Sequence, residues 1–435
     1  MTEVASTVEA AALDVSWPEV VRAFCGHRAD TSSRLNAYLD RHPVDVVALC
    51  LKGFGQLFLG RDDRRADAAA AESAARAAHR ADDMRERRLL AALSSWRLDR
   101  PFEAAATFEA MLAENPRDLL AIKLHHGLLL MLGQPGRMRA CLERVLPAWP
   151  ADDAQAGFVL GCYAFSLEET GAFERAEAVG RRAVAMQPDD AWAIHAVAHV
   201  FESLGRPREG LAWLGTHAKG YDTCNVFRGH VHWHRALLHF QLEQFGRALD
   251  IYDEHVATPW AGDYRDMSNA VSLLWRLESA GVGVGRRWDR LAEIAGAHLG
   301  DRGSAFALAH YAVALGRGDG LDRLADQLAA PRASPSKSCL GSQAAIVSDV
   351  ARPLCRGIHA WFSGDAGAAY DEWVAVEPSL ARIGGSNAQR ELFALMLIEA
   401  ALATDHTDTA RRLVAERQRF RPHDPWLAAR AGSAT

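Results

Sequence analysis

Strand signals are all but missing from this chain. Val and Ile do not gather into alternating runs bounded by turns, which excludes a sheet protein. No stretch approaches the ~20 apolar residues that a bilayer crossing needs, so no membrane role is expected. The opening residues, MTEVASTVEAAALDVSW, lack the basic n-region of a secretory signal. Cysteine is sparse and unpaired in pattern: seven residues, none in a C-x-x-C. An odd, scattered set reads as free thiols in a reducing compartment, and the expected location is cytoplasmic. A basic excess is also lacking. Lys and Arg number 49 against 55 Asp and Glu, a formal net charge of -6, which counts against a nucleic-acid partner. Disorder is excluded too, since 49% of the residues are hydrophobic and 24% charged.

What is abundant is helix-forming sequence. Ala, Leu, Glu and Arg dominate stretches of ~12–18 residues with a 3.6-type period. Short breaks of Gly, Pro, Asp or Asn separate them, so the chain reads as all-α helical hairpins. The breaks recur. GAFERAEAVGRRAVAMQPDD begins at Gly171, and the equivalent break Gly205-Arg206-Pro207 follows 34 residues later. That interval is the period of a tetratricopeptide repeat. RPFEAAATFEAMLAENP, QFGRALDIYDEHV and GDAGAAYDEWVAVEP repeat the pattern. The expected fold is an all-α, tetratricopeptide-repeat-like α-solenoid, helical hairpins stacked into a superhelix. First ("A") helices are predicted near 43–58, 84–98, 118–132, 154–170, 190–204, 226–242, 263–280, 303–316, 343–363 and 387–403, each followed by a second ("B") helix. Residues 1–41 read as an N-terminal helical cap and 42–435 as the superhelix. The Pro/Ser-rich stretch 331–342 reads as a loop, either a connector or a lid.

The unusual side chains concentrate on A helices. DAWAIHAVAHVFESL places Trp192, His195, His199 and Glu202 on one helical stripe, preceded by Asp190. In FRGHVHWHRALLHF, His230 and His234 are i, i+4 and share a face beside Trp233. Adjacent A helices lie side by side, so the two His pairs can face each other across roughly 8–10 Å between axes. Outward from these, His126 lies upstream, Tyr163, Glu168 and Glu169 lie between, and His310 and Tyr311 lie downstream. In GGSNAQRELF, a turn leads into a helix N-terminus with Ser386, Gln389 and Arg390. Free N–H groups and the helix dipole make that place a candidate anion site.

Several blocks in order resemble tetratricopeptide repeat protein 38 and its bacterial relatives: GCYAFSLEETGAFERAE, DDAWAIHAVAHVFESLGRPREG, HVHWHRALLHFQLEQFGRALDIYD, FALAHYAVAL and IGGSNAQRELF. They span roughly residues 85–420. The family pattern D-x-W-x-x-H-x-x-x-H is similar to Asp190, Trp192, His195 and His199, and a later H-x-x-W-H to His230, Trp233 and His234. This chain departs from the family at His232, where the relatives carry an aromatic residue. The resemblance implies the fold; the family's biochemical role is poorly defined.

Three functional readings remain open. The first is a cavity inside the superhelix that binds a small polar molecule, with enzymatic acid/base chemistry left undecided. Its candidate catalytic residues are His195, His199, His234, Glu202 and Tyr163. Its candidate binding residues are His126, Glu169, Asp190, Trp192, His230, Trp233, His310, Tyr311, Ser386, Gln389 and Arg390. The second is a scaffold that holds a peptide or partner protein in the concave groove. The third is a metal protein with a divalent ion on His195, His199, His230 and His234. This last arrangement is H-x-x-x-H without the Glu of a metalloprotease motif, and no cofactor is assigned from sequence. Solenoid faces often pair, so a homodimer is allowed.

Overall fold

The structure is a computed structural model that describes residues 15–80, 82–257, 263–301, 303–330 and 342–433. Helices α1 (Trp17–Cys25) and α2 (Thr31–Arg41) come first. Hairpins follow: α3 (Val46–Leu57) with α4 (Arg64–Ala78), α5 (Met84–Arg97) with α6 (Pro101–Glu114), and α7 (Leu119–Met131) with α8 (Pro135–Val145). Next come α9 (Ala156–Glu169) with α10 (Phe173–Met186), then α11 (Ala191–Ser203), α12 (Pro207–Thr216) and the short α13 (Ala218–Tyr221). The second half holds α14 (Phe227–Gln241) with α15 (Phe245–Ile251), α16 (Tyr264–Ser279) with α17 (Arg287–His298), and α18 (Ala305–Arg317) with α19 (Leu321–Ala329). Then α20 (Gln343–Ile346) and α21 (Arg352–Phe362) precede α22 (Ala366–Val376), and α23 (Asn387–Ala403), α24 (Thr407–Gln418) and α25 (Pro425–Ser433) end the array. This is an all-α, tetratricopeptide-like solenoid. Among the described residues the only β feature is an isolated bridge between Arg28 and Cys224, and no helix is long and apolar enough to cross a membrane.

Local chemistry sets the repeat. Most A helices open on a short polar side chain that accepts a hydrogen bond from the first helical turn, though α9 and α14 do not. Asp45, Asp83, Asp118, Asp190, Asp263, Ser304 and Ser386 all do this. Several B helices open on Pro, whose missing N–H costs nothing at that position: Pro101, Pro135 and Pro207. Between A and B the chain passes through a left-handed residue, as at Asp99, Gly133, Gly171, Gly205, Glu243 and Gly281. That conformation ends a helix and turns the chain back. The predicted helix over 343–363 is present as one helical run over 343–362 that contains a π-helical turn. Pro353 cannot donate to the preceding turn, and the chain passes through a π-helical turn at Val347–Ala351 before α21. The predicted loop 331–342 lies outside the described residues, except that Ser342 caps α20.

The superhelix winds tightly enough that residues one full turn apart touch. Asp99 accepts from the backbone N–H of Gln343 at 2.9 Å, across 244 residues. Glu169 accepts from the Asn387 N–H at 2.8 Å, across 218 residues. Gly385 N–H donates to the Leu130 carbonyl at 3.1 Å. These separations correspond to about seven repeats of 34 residues. Turn therefore stacks on turn, and the inner wall is packed rather than open. Every residue of α9 from Ala156 to Glu169 is buried, as is every residue of α11 from Ala191 to Glu202.

Candidate functional site

The buried A helices carry groups that a packed core rarely holds. His195 and His199 sit one turn apart on α11, and His230 and His234 one turn apart on α14. The helices lie side by side, so the four imidazoles meet. One ring nitrogen from each lies within 4.8 Å of the others. His195 Nε2 is 2.9 Å from His230 Nε2, which is 3.2 Å from His234 Nε2. His199 and His234 are fully buried, at 0% exposure.

Polar groups stand behind three of the rings. His234 Nδ1 is 2.5 Å from Glu202 Oε2. His230 Nδ1 donates to Asn269 Oδ1 at 3.0 Å. His199 Nδ1 is 3.3 Å from Glu168 Oε2, and Ser203 Oγ holds the other Glu168 oxygen at 2.8 Å. His195 instead packs among aromatic rings, with Phe165, Trp192 and Phe227 centroids at 5.7, 5.2 and 5.0 Å.

Burial dominates the electrostatics. It pushes His195 and His234 well below the ordinary imidazole range, and neighbouring imidazoles push the same way. His230 falls to about 3 for the same first reason, against the pull of Asn269. His199 is the exception. Burial lowers it, but Glu168 with Glu169 and Glu202 outweighs that and raises it. Burial lifts Glu202 to about 7, partly offset by His199. It also lifts Glu169 to about 7, with Glu168 adding and Arg390 opposing. At His199 burial therefore works against the imidazolium while the neighbouring carboxylates work for it.

A second group of polar side chains borders this cluster at the start of α11. Asp190 caps the helix through Trp192 N–H at 3.1 Å, and burial lifts its carboxyl to about 7 against the pull of Lys123. Lys123 on α7 is buried with its ammonium 5.4 Å from the centre of the Trp192 ring. Burial lowers its pKa, but Cys162, Asp190 and Cys25 raise it on balance. His126, also on α7, stands edge-on to Trp192 and Phe165. The N-terminal segment covers this corner. His27 takes a left-handed φ of 55° and stacks on Trp192 and Phe227, with centroids 5.4 and 4.8 Å away.

The structure brings together His126, Glu169, Asp190, Trp192, His195, His199, Glu202, His230, Trp233 and His234. Trp233 stacks on His230 with centroids 5.3 Å apart. Others lie elsewhere. Tyr163 is about 200° around α9 from Phe165, and its hydroxyl donates to Glu143 at 3.1 Å, away from the cluster. His310 Nδ1 donates to its own helix at Phe306 O, 2.9 Å away, and Tyr311 faces His298. Ser386 and Gln389 cap each other at the start of α23. The anion at that helix N-terminus is the chain's own Glu169, held by the Asn387 N–H, with Arg390 3.6 Å away. Sequence reasoning passed over Asn269, Lys123, Ser203 and His27. Of these, Lys123 had a visible signal: it is the lone cation in the apolar run LLAIKLHHGLLLM.

A cleft of about 20 Å³ lies on the outer side of Glu202, bounded by Gln241, Arg276, Glu391 and Arg421, with room for a water or so.

No family model matches the chain. Among solved structures, the human IFIT1 dimer with PPP-AAAA is similar at 13% identity over 97% of this chain and 95% of that one, with a TM-score of 0.42. Yeast Tom70 is similar at 12% identity over 96% of this chain and 87% of that one, with a TM-score of 0.36.

Proposed function

We propose that this chain is a tetratricopeptide repeat protein 38-like protein that binds a small polar molecule where α7, α9, α11 and α14 meet. One observation supports the reading above all. Buried polar atoms at that junction lack a hydrogen-bond partner: both nitrogens of His126, Trp192 Nε1, His195 Nδ1 and Asn269 Nδ2. Each such atom costs roughly 1–3 kcal/mol, and folded proteins leave few of them. Lys123 adds a buried cation beside the Cys162 thiol, the Trp192 face and the Asp190 carboxyl. Among these groups Trp192 Nε1, Asn269 Nδ2 and the Lys123 ammonium are donors, and they would recognise an acceptor such as a carboxylate or carbonyl. His27, in a left-handed conformation, stacks on both Trp192 and Phe227, which also stack on each other, and its withdrawal is the way in.

The net charge of -6 favours a small molecule over a nucleic acid. Cys25, Cys50, Cys141, Cys162 and Cys224 are free and buried, in keeping with a cytoplasmic protein. The scaffold reading needs a partner on the outer face, because the wall along α9 and α11 is closed. A single stoichiometric partner in a pull-down would favour it.

The test compares native and denaturing mass spectra of the purified chain. A mass excess lost on denaturation is expected for the natural sequence, and its loss from folded Lys123→Met and Trp192→Phe variants. A folded natural chain that carries no organic excess, even after incubation with cell extract metabolites, overturns the reading.

A further inference from the structure

We infer that His195, His199, His230 and His234 bind one divalent late first-row transition-metal ion. The inference shares helices with the ligand site above but rests on different atoms.

Spacing is the first observation. In a tetrahedral site with metal–nitrogen distances of 2.0–2.1 Å, neighbouring donor nitrogens lie about 3.3 Å apart. The Nε2 atoms of His195, His230 and His234 stand at 2.9 and 3.2 Å from their neighbours. His199 also offers a nitrogen inside the 4.8 Å set. The rings already hold the spacing of a coordination shell, and small rotations complete it.

Hydrogen accounting is the second. Asn269 Oδ1 only accepts, so His230 Nδ1 carries its hydrogen and His230 Nε2 is a lone pair. With Glu202 as acceptor, His234 Nδ1 carries the hydrogen and His234 Nε2 is a lone pair as well. Two lone pairs then face each other at 3.2 Å. His195 can donate one hydrogen to His230 Nε2, and nothing serves His234 Nε2. If Glu202 carried the proton instead, His195 and His234 would both donate to the single lone pair of His230. His199 Nε2 has no protein partner under either assignment. A cation at the centre satisfies all four nitrogens together.

The surroundings fit that cation. Metal-bound histidines rely on outer acceptors that fix the tautomer, and Asn269, Glu202 and Glu168 stand where such acceptors belong. Two of these are carboxylates, which balance a buried double charge. An all-imidazole donor set selects zinc-like ions over magnesium or calcium, which require oxygen. A second ion at Glu168, Glu169 and His199 does not follow, because Arg390 and the Asn387 N–H already hold Glu169.

The test uses the full chain. It is stripped with chelator, checked for helicity, and titrated with zinc and with cobalt(II), followed by elemental analysis. The expected result is about one ion per chain, with the visible bands of a four-coordinate cobalt site. His195→Gln with His230→Gln should cut uptake to about a tenth or less, and His232→Gln should leave it unchanged, since a site loses its ion with its ligands. His232 lies on the same helix but stacks on His255. Folded natural protein that takes up neither ion overturns the inference. If the double variant does not fold, the titration of the natural chain decides alone. An organic mass excess without metal sinks this inference and leaves the ligand reading standing; metal without an organic excess does the reverse.

Discussion

At the scale of single residues, charge burial decides more than composition suggests. Glu391 sits under Arg421 and Arg417, the latter donating at 3.2 Å. Burial alone would raise its pKa, but these cations with Arg276 hold it at about 2, against an ordinary 4.5. A depressed carboxyl contributes stability that is complete above its unfolded pKa and lost as pH falls through the folded one. Glu391 should therefore contribute roughly 3 kcal/mol at neutral pH, disappearing between about pH 4.5 and 2. Glu391→Gln should cost about 3 kcal/mol at pH 7, because two arginines lose their partner, and should flatten the acid slope. Denaturant midpoints at pH 7, 4 and 3 check both. The histidine cluster itself was legible at this scale. His195, His199, His230 and His234 follow from i, i+4 spacing on neighbouring A helices. Asn269 was not, because one asparagine in a helix carries no mark of what it will face, whereas Lys123 stood out as the lone cation of an apolar run.

At the scale of elements, the left-handed junctions do two different jobs. Gly281 has a φ of 80° with nothing near the place of a Cβ. Gly384 has a φ of 92°, and a Cβ there would lie 2.2 Å from the Met131 carbonyl oxygen. Gly281→Ala should cost only the conformational term, ~1–2 kcal/mol. Gly384→Ala must in addition push apart α7 and the turn before α23, and should cost at least twice as much, about 3 kcal/mol or more. Thermal unfolding of the two variants side by side separates strain from crowding; equal losses would mean that the interlock is soft. The helix starts were readable because Asp, Ser and Pro caps act within a few residues. The π-helical turn inside the helix at 343–362 was not legible, since Pro353 reads equally well as an early-helix proline.

At the scale of the whole molecule, stacking of superhelical turns changes how the array should unfold. An open solenoid contacts only its neighbours and can melt repeat by repeat. Here Asp99 meets Gln343, Leu130 meets Gly385, Glu169 meets Asn387, and Trp426 Nε1 donates to Ser279 Oγ at 2.9 Å. Repeats far apart in sequence are thereby tied together, so unfolding should be a single cooperative transition. Coincident denaturation curves from tryptophan fluorescence and helical circular dichroism are expected. Curves that separate, with one half melting first, would show that the contacts between turns are weak.

The sequence by itself determined the helices, their hairpin pairing and the concentration of histidines on two adjacent A helices. Periodicity, caps and breakers act over one or two helical turns, and the repeat interval carries that local order along the chain. Only the tertiary structure decided that the superhelix closes on itself and fills its inner wall. It also decided that Tyr163, His310 and Tyr311 face elsewhere, and that Glu169 claims the helix N-terminus offered by Asn387. The physical reason is common to all of these. They depend on the pitch of the superhelix, a small rotation per hairpin summed over about seven repeats, and no single stretch of sequence states that sum.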